Sequence, residues 1–334
     1  MASIKDVAHR ARVSTTTVSH VVNRTRFVSD KVRQEVESAI RELNYVPSAV
    51  ARSLKSNSTR TIGMLIPNCS NPYFAEIVRS VEDHCFGAGF TLILCNTDDE
   101  PHRQSAYLQM LSEKRIDGMI IISTGEGKDL QRMLHGLPIP MVLLDREIDD
   151  VNCDLVETAH LQGGLMATNH LIGLGHRRIA CLAGPANLNS SAQRIEGWRQ
   201  ALATAGLAEE SADLLWHSDF SSQGGFRTMQ AILASSTVPT AVFVCNDLMG
   251  IGALSAAHEA GIQIPQDMSL IGFDDIELAR FASPALTTIA QPKLRIGIAA
   301  VDMLLERIQG GRIQARQLIL QPELIVRHST AGLC

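Results

Sequence analysis

The sequence predicts a two-part chain, a small all-α head followed by a larger α/β body. Three observations carry this. The first 46 residues place apolar side chains at helical spacing between cap and turn residues. From Thr61 onward, short runs rich in Ile, Leu and Val alternate with helix-like stretches. Charge divides at the same place. Residues 1–60 hold eleven Lys or Arg against five Asp or Glu, a net of +6, whereas the whole chain of 334 residues carries −5, leaving −11 for the rest. A basic head on an acidic body is the asymmetry expected of a nucleic-acid-binding module joined to something else.

The head reads as three helices. In "SIKDVAHRA", Ile4, Val7, Ala8 and Ala11 share a face and Ser3 is placed to cap it. "RVS" makes a tight turn. "STTTVSHVVN" opens a second helix, with Ser14 as cap and Val18, Val21 and Val22 as its apolar face. "SDKVRQEVESAIRELNY" starts at Ser29, carries Val32, Val36, Ile40 and Leu43, and is expected to close at Pro47. "SAVARSLKSN" follows as a short separate segment.

In the body, "TIGMLIP", "FTLILCN", "DGMIIIS", "PMVLLD", "RIACLAG", "AVFVCND" and "MSLIGFDD" read as buried strands. Alternation with helices implies parallel sheets covered on both faces. Several runs end in a polar residue: Asn96, Ser123, Asp145, Asn246 and Asp274. Ligands of open α/β sheets bind beyond the carboxyl ends of strands, so these are candidates for a small-molecule site. Taken singly, each is equally well placed to start a turn or cap a helix.

Other classes are disfavoured. Hydrophobic residues make up 45% but aromatics only 4%, so the core is aliphatic. No apolar run reaches the roughly 18 residues of a membrane span. The opening "MASIKDVAHRARV" has charges where an export signal is apolar. A cytoplasmic chain with no membrane partner is therefore expected. The seven cysteines (Cys69, Cys85, Cys95, Cys153, Cys181, Cys245, Cys334) form no CxxC pair and read mostly as buried reduced thiols. No metal and no cofactor are expected. "GIGALS" lacks the third glycine of a dinucleotide loop, and there is no Walker loop and no GxSxG elbow. His160 and His170 are too far apart for helical metal spacing. Nothing here suggests an enzyme.

Two short helices, a tight turn and a third helix fit a helix-turn-helix, whose second helix enters the major groove with its N-terminal residues against base edges. Thr15, Thr16 and Thr17 stand at that position. Their side chains are short, their hydroxyls can bond a phosphate or base, and their methyls can pack on thymine. The plain alternative is that Ser14 and Thr17 serve as capping groups.

Residues 2–60 resemble the head of the LacI/GalR family of repressors. The resemblance is carried by "IKDVAHRARVSTTTVSHVVN", "RFVS" and "AIRELNYVPSAVARSLK". It runs on through "TIGMLIP", "PTAVFVCNDLMGIGAL", "IPQDMSLIGFDDIELARFASPALTTIAQPK" and "ELIVRHST", and so covers essentially the whole chain. Members that answer to purines or ribose are the most similar. The resemblance implies a helix-turn-helix head (1–46), a hinge helix and linker (47–60) and a body (61–334) of two Rossmann-like lobes similar to periplasmic sugar-binding proteins. The lobes would span 61–160 plus 291–320 and 161–290 plus 321–334. It implies that Thr15, Thr16 and His20 face the major groove and that Arg26 reaches a base edge. Leu54 would be a minor-groove wedge flanked by the phosphate-contacting Arg52 and Lys55. The partners implied are palindromic operator DNA, a small-molecule effector and a second copy of the chain, joined through 72–85 and the helix after Asn246. "RHSTAGLC" carries no leucine heptad, so a dimer rather than a tetramer is expected.

By the same resemblance, "NPYF" places Asn71, Tyr73 and Phe74 at an effector cleft, and "LLDRE" places Asp145 and Arg146. Phe220, Asn246, Asp274 and Gln291 complete it. Carboxylate, amide and guanidinium groups around aromatic faces suit a polyhydroxylated ring, whose hydroxyls need partners when buried. A free sugar, ribose first, acting as inducer is the expectation. Arg146 stands where purine-responsive members have tryptophan, which weakens the purine alternative. One position departs from the family: Ala192 stands where an arginine usually points into the cleft, and Arg194 matches a second, structural arginine.

Overall fold

The protein's structure, a computed structural model, describes residues 2–47, 58–122, 128–145, 152–211, 213–312 and 314–333. It divides into two compact units, 1–59 and 60–334.

The head holds α1 (Ile4–Arg10), α2 (Thr15–Asn23) and α3 (Asp30–Glu42). Ser3 caps α1 reciprocally. Its hydroxyl accepts from the Asp6 N–H at 3.4 Å, and the Asp6 carboxylate accepts from the Ser3 N–H at 2.8 Å. All three helices close on a left-handed residue that is not glycine: Arg12 (φ 51°), Arg24 (φ 50°) and Asn44 (φ 47°). Helix α3 therefore ends earlier than Pro47. The Tyr45 N–H returns to the Ile40 carbonyl at 3.0 Å and the Asn44 N–H to Arg41 at 3.3 Å, a Schellman closure made by Asn44. Val7, Ala8, Ala11, Val18, Val36 and Ala39 form a small aliphatic core.

The body runs β1 (Thr61–Ile66), α4 (Pro72–Gly87), β2 (Thr91–Asn96), α5 (Pro101–Glu113), β3 (Gly118–Ile121), α6 (Lys128–His135), β4 (Met141–Leu144) and β5 (Asp154–Thr158). It continues with α7 (His160–Gly173), β6 (Ile179–Ala183), α8 (Asn189–Thr204), β7 (Leu215–His217), α9 (Ser222–Leu233), β8 (Ala241–Val244), α10 (Asp247–Glu259) and β9 (Ser269–Asp274). Helix α11 (Glu277–Phe281), β10 (Thr287–Ala290), α12 (Lys293–Ile308), β11 (Gln317–Leu320) and β12 (Glu323–Ile325) complete it.

These strands form two six-stranded sheets, ordered β11-β5-β4-β3-β1-β2 and β12-β10-β9-β8-β6-β7. The first is parallel throughout, and the second is parallel except for β12 against β10. Each sheet is the centre of one lobe. The chain passes between lobes after β5, after β10 and after β11. Strand residues alternate between two covered faces, which is why they read as continuous apolar runs. Ile62, Met64 and Ile66 pack with residues of α4, such as Ile77 and Val81, while Leu65 packs with Leu108 and Leu111 of α5. In the second lobe α7 and α8 touch backbone to backbone. A β-carbon on Gly164 would strike the Arg194 carbonyl, and one on Gly197 the Leu161 carbonyl.

Cys85, Cys95, Cys153, Cys181 and Cys245 are buried free thiols, and Cys69 is exposed. Among the described residues no helix is long and apolar enough to cross a membrane.

Candidate functional site

The head presents the start of α2. The Ser14 hydroxyl accepts from the Thr17 N–H at 3.0 Å and meets the Thr17 hydroxyl at 2.9 Å, so Thr17 is engaged in the cap. Thr15 and Thr16 are exposed and spend no hydroxyl on the protein among the described residues. His20 holds Thr25 through Nδ1 at 2.8 Å, which leaves Nε2 for an outside partner. Arg26 is exposed, and Phe27 beside it is 92% exposed. Arg52, Leu54 and Lys55 lie outside the described residues.

In the body, both sheets reverse their strand order beside the first strand of the lobe, β1 or β6. Loops diverge at such a switch point and leave a crevice. A cleft of about 580 Å³ opens there. The first lobe contributes Asn71, the N-cap of α4, whose side-chain oxygen accepts from the Tyr73 N–H at 3.0 Å. Pro72 at the first helical position has no N–H to satisfy. Tyr73 and Phe74 follow in the first turn, and Asp145 follows β4. The second lobe contributes Ser190 and Arg194 from α8, Phe220 ahead of α9, Asn246 as the N-cap of α10, and Asp274 at the end of β9. Asn246 accepts from the Met249 N–H at 2.9 Å and donates to the Phe220 carbonyl at 3.0 Å, fixing the loop that carries the ring. Gly184 makes the seat for that ring, because a β-carbon there would run into it.

Three cleft residues hold left-handed backbone: Asp145 (φ 62°), Phe220 (φ 62°) and Asp274 (φ 115°). For residues other than glycine this costs about 1–3 kcal/mol each, and such strain clusters at functional sites.

Beneath the cleft the polar groups join in a ring that spans both lobes. Arg194 reaches Nδ1 of His160 at 3.3 Å, and Nε2 of His160 meets Asp145 at 3.0 Å. Tyr73 meets Asp145 at 2.9 Å and Gln291 at 3.0 Å. Gln291 meets Asp274 at 2.7 Å, and Asp274 faces Arg194 at 3.8 Å. Arg194 also donates to the Cys245 carbonyl and lies 3.8 Å over the Phe273 ring. Burial alone would raise the Asp145 carboxyl. His160, Arg194 and the Tyr73 hydroxyl outweigh it and hold Asp145 well below the usual carboxylate range. Burial and the two facing aspartates push the Tyr73 phenol up, so it keeps its proton. Burial lifts Asp274 to about 6 against the pull of Arg194, Gln291 and Lys293. Lys293 ties the lobes as well, bonding the Asp274 carbonyl at 2.7 Å and pairing with Glu76 of α4 at 3.1 Å.

The structure thus brings Asn71, Tyr73, Phe74, Asp145, Phe220, Asn246 and Asp274 around one cleft, with Gln291 beneath it. Arg146 lies outside the described residues. Position 192 does not face the cleft. Ala192 is exposed, because residues four apart share a helix face and α8 turns Ser190 and Arg194 inward. Arg194, which the resemblance gives a structural role, is the cationic group among the described residues of the cleft lining. His160, whose spacing from His170 does not suit a metal, is the link between Arg194 and Asp145. Its place two residues past the end of β5 is the available signal. Among the described residues no cluster could hold a metal ion.

Residues 3–48 match the bacterial regulatory proteins, lacI family, and residues 168–330 match the periplasmic binding protein-like domain. The chain is 44% identical over 337 residues to the HTH-type transcriptional repressor PurR of Haemophilus influenzae, covering 100% of each. It is 45% identical over 330 residues to the ribose operon repressor of Escherichia coli, covering 98% of this chain and 100% of that one. Among solved structures it is similar to the Lac repressor dimer bound to operator and the anti-inducer ONPF, with a TM-score of 0.89 and 31% identity, over 99% of each chain. A LacI family regulator from Enterococcus faecium with bound ribose gives a TM-score of 0.74 and 34% identity, over 82% of this chain and 100% of that one. The chain belongs to the LacI family of bacterial transcriptional repressors, DNA-binding regulators rather than enzymes.

Proposed function

We propose that this repressor binds a palindromic operator in the cytoplasm as a homodimer and releases it when a free sugar, D-ribose first, enters the cleft. One observation carries the sugar reading. Carboxylates from opposite lobes, Asp145 and Asp274, face one cleft walled by Phe74 and Phe220. Sugar hydroxyls donate to carboxylates, and aromatic faces cover the apolar faces of the ring. Among the described residues the lining carries Asp99, Asp145 and Asp219 against Arg194, a balance that opposes a phosphate. The ribose repressor relative and the ribose-bound regulator support the same choice. The second reading is a purine, favoured by the full-length similarity to repressors named PurR.

For DNA, Thr15, Thr16, His20 and Arg26 are assigned to the major groove, and Leu54, between Arg52 and Lys55, to the minor groove. Leu54→Ala is expected to weaken operator binding by about a few kcal/mol and leave non-specific binding nearly unchanged. The dimer is assigned to the body, where Phe86 of α4 is 77% exposed and Phe281 of α11 is 72% exposed. Sedimentation at micromolar concentration is expected to give a dimer, and a stable monomer or tetramer contradicts this.

A thermal-shift screen over free sugars, sugar phosphates and purines tests the effector. A ligand at about 100 Kd adds roughly 2.7 kcal/mol of stability. A shift with D-ribose and none with phosphates supports the reading. A shift with purines alone replaces it by the second.

A further inference from the structure

The ring beneath the cleft does not balance its protons. Arg194 donates to His160 Nδ1 at 3.4 and 3.3 Å, so that nitrogen carries no proton. The ring proton of His160 sits on Nε2 and faces Asp145 Oδ1 at 3.0 Å. Three contacts remain: Tyr73 Oη to Asp145 Oδ2 at 2.9 Å, Tyr73 Oη to Gln291 at 3.0 Å, and Gln291 to Asp274 Oδ1 at 2.7 Å. A phenol has one proton, and an amide offers a donor end and an acceptor end. With the amide nitrogen towards Asp274, Tyr73 lies between two acceptors and can serve one. With the amide turned over, Tyr73 is satisfied, but the Gln291 oxygen faces Asp274 oxygen to oxygen. In either orientation two ionised aspartates leave one contact without a proton. Tyr73, Gln291 and Asp274 are all buried, where such a gap is costly.

We propose that Asp274 holds the missing proton while the cleft is empty, donating it to the Gln291 carbonyl, and gives it up when a polyhydroxylated effector donates a hydroxyl in its place. The surroundings of Asp274 favour this site over Asp145. Arg194 of α8 faces it at 3.8 Å but is shared with His160 and the Cys245 carbonyl. Lys293, at the start of α12, spends its ammonium on the carbonyls of Asp274 and Asp275 and on Glu76. Asp145 across the cleft adds negative charge. Asp247 at the start of α10 supplies no counter-charge, its own carboxyl being pushed up by burial and by Asp274, and the adjacent Asp275 is paired with Arg327. His160 of α7 lies beyond Arg194. Asp145, by contrast, has the His160 proton and the Tyr73 hydroxyl directly on it. The members of the ring come from both lobes and from two of the three crossings, so the proton completes a tie between lobes that the effector must replace.

The exchange rests on the sugar reading, and the proton itself does not. The test is ¹³C NMR of side-chain carboxyls in the ligand-free full chain, with Asp274 assigned by through-bond correlation and Asp274→Asn as control. The expected result is an Asp274 midpoint near 6. A midpoint below about 4.5, the ordinary carboxylate range, overturns the proposal. Calorimetric titration of D-ribose in buffers of different ionisation enthalpy then reads the exchange. About half a proton should leave per ribose at pH 6, with affinity about tenfold weaker at pH 5 than at pH 7.5. Ribose binding that ignores pH overturns the exchange. No ribose binding at any pH overturns the ribose reading alone, and the NMR midpoint still decides the proton.

Discussion

The head and the cleft hold the side chains proposed to work in them in opposite ways. In the head, Thr15, Thr16 and Arg26 are exposed, and their positions are set by caps a few residues away. In the cleft, Arg194, His160 and Asp274 are nearly sealed from water, and Arg194 sets the other two across 34 and 80 residues of chain. A contact made by the head is therefore separable from stability, whereas a contact in the cleft is part of what holds the body together.

The largest test of this contrast is Arg194→Ala. It leaves the His160 nitrogen, the Cys245 carbonyl and the Asp274 carboxyl without their shared donor. Urea unfolding of the body is expected to lose about 3–5 kcal/mol, the range for breaking a buried charge network. A loss under about 1 kcal/mol would mean the ring is not structural. Thr16→Ala is expected to do the reverse. Operator affinity falls by about 1–3 kcal/mol, while unfolding free energy stays within about 0.5 kcal/mol of the parent. Equal losses in both measurements would erase the distinction. Ser14→Ala sits between them, costing about 1 kcal/mol of head stability through the lost cap. Circular dichroism at the helix band reads this.

The smallest effect is in pH. His170 bonds Thr330 at 3.0 Å, and His176 bonds Ser269 at 2.9 Å and Thr240 at 3.0 Å, stapling the C-terminal segment. Burial lowers both imidazoles, with the His176 charge adding to His170 and the Ala331 carbonyl partly opposing at His176. A lowered folded value means the staple contributes fully above the unfolded value of about 6.5 and is lost as pH falls through the folded one. Asp274 runs the other way. Raised to about 6, it contributes below its unfolded value and loses that contribution as pH rises through 6. Unfolding between pH 5 and 7.5 in Asp274→Asn should therefore show a steeper rise of stability with pH than the parent.

The same contrast explains what the sequence made legible. The two-part architecture could be read because period and caps are local: Ser3, Ser14 and the apolar runs announce themselves within a few residues. Asp145, Asn246 and Asp274 could be singled out because they end apolar strand runs on the cleft side, and Asn71 because the "NPYF" motif resembles the family's. Arg194 could be named but not given its role, and His160 offered only its place just after a strand. Each looks ordinary among its own neighbours, and its role depends on partners such as Asp274 and Asp145 elsewhere in the chain. Position 192 follows the same rule. A helix face is set by packing, here the close approach of Gly164 and Gly197, and a motif position alone does not report it. The end of α3 was misplaced because Asn44 closes the helix through its backbone, before Pro47 has any effect.

Under the proposed function, a sugar in the cleft controls operator binding by the head. D-ribose titrated into the protein–operator complex, followed by fluorescence anisotropy of labelled operator, tests it most directly. Operator is expected to be released as ribose rises, with operator DNA weakening ribose binding by the same factor. Anisotropy unchanged up to about millimolar ribose, or a complex tightened by ribose, would contradict it.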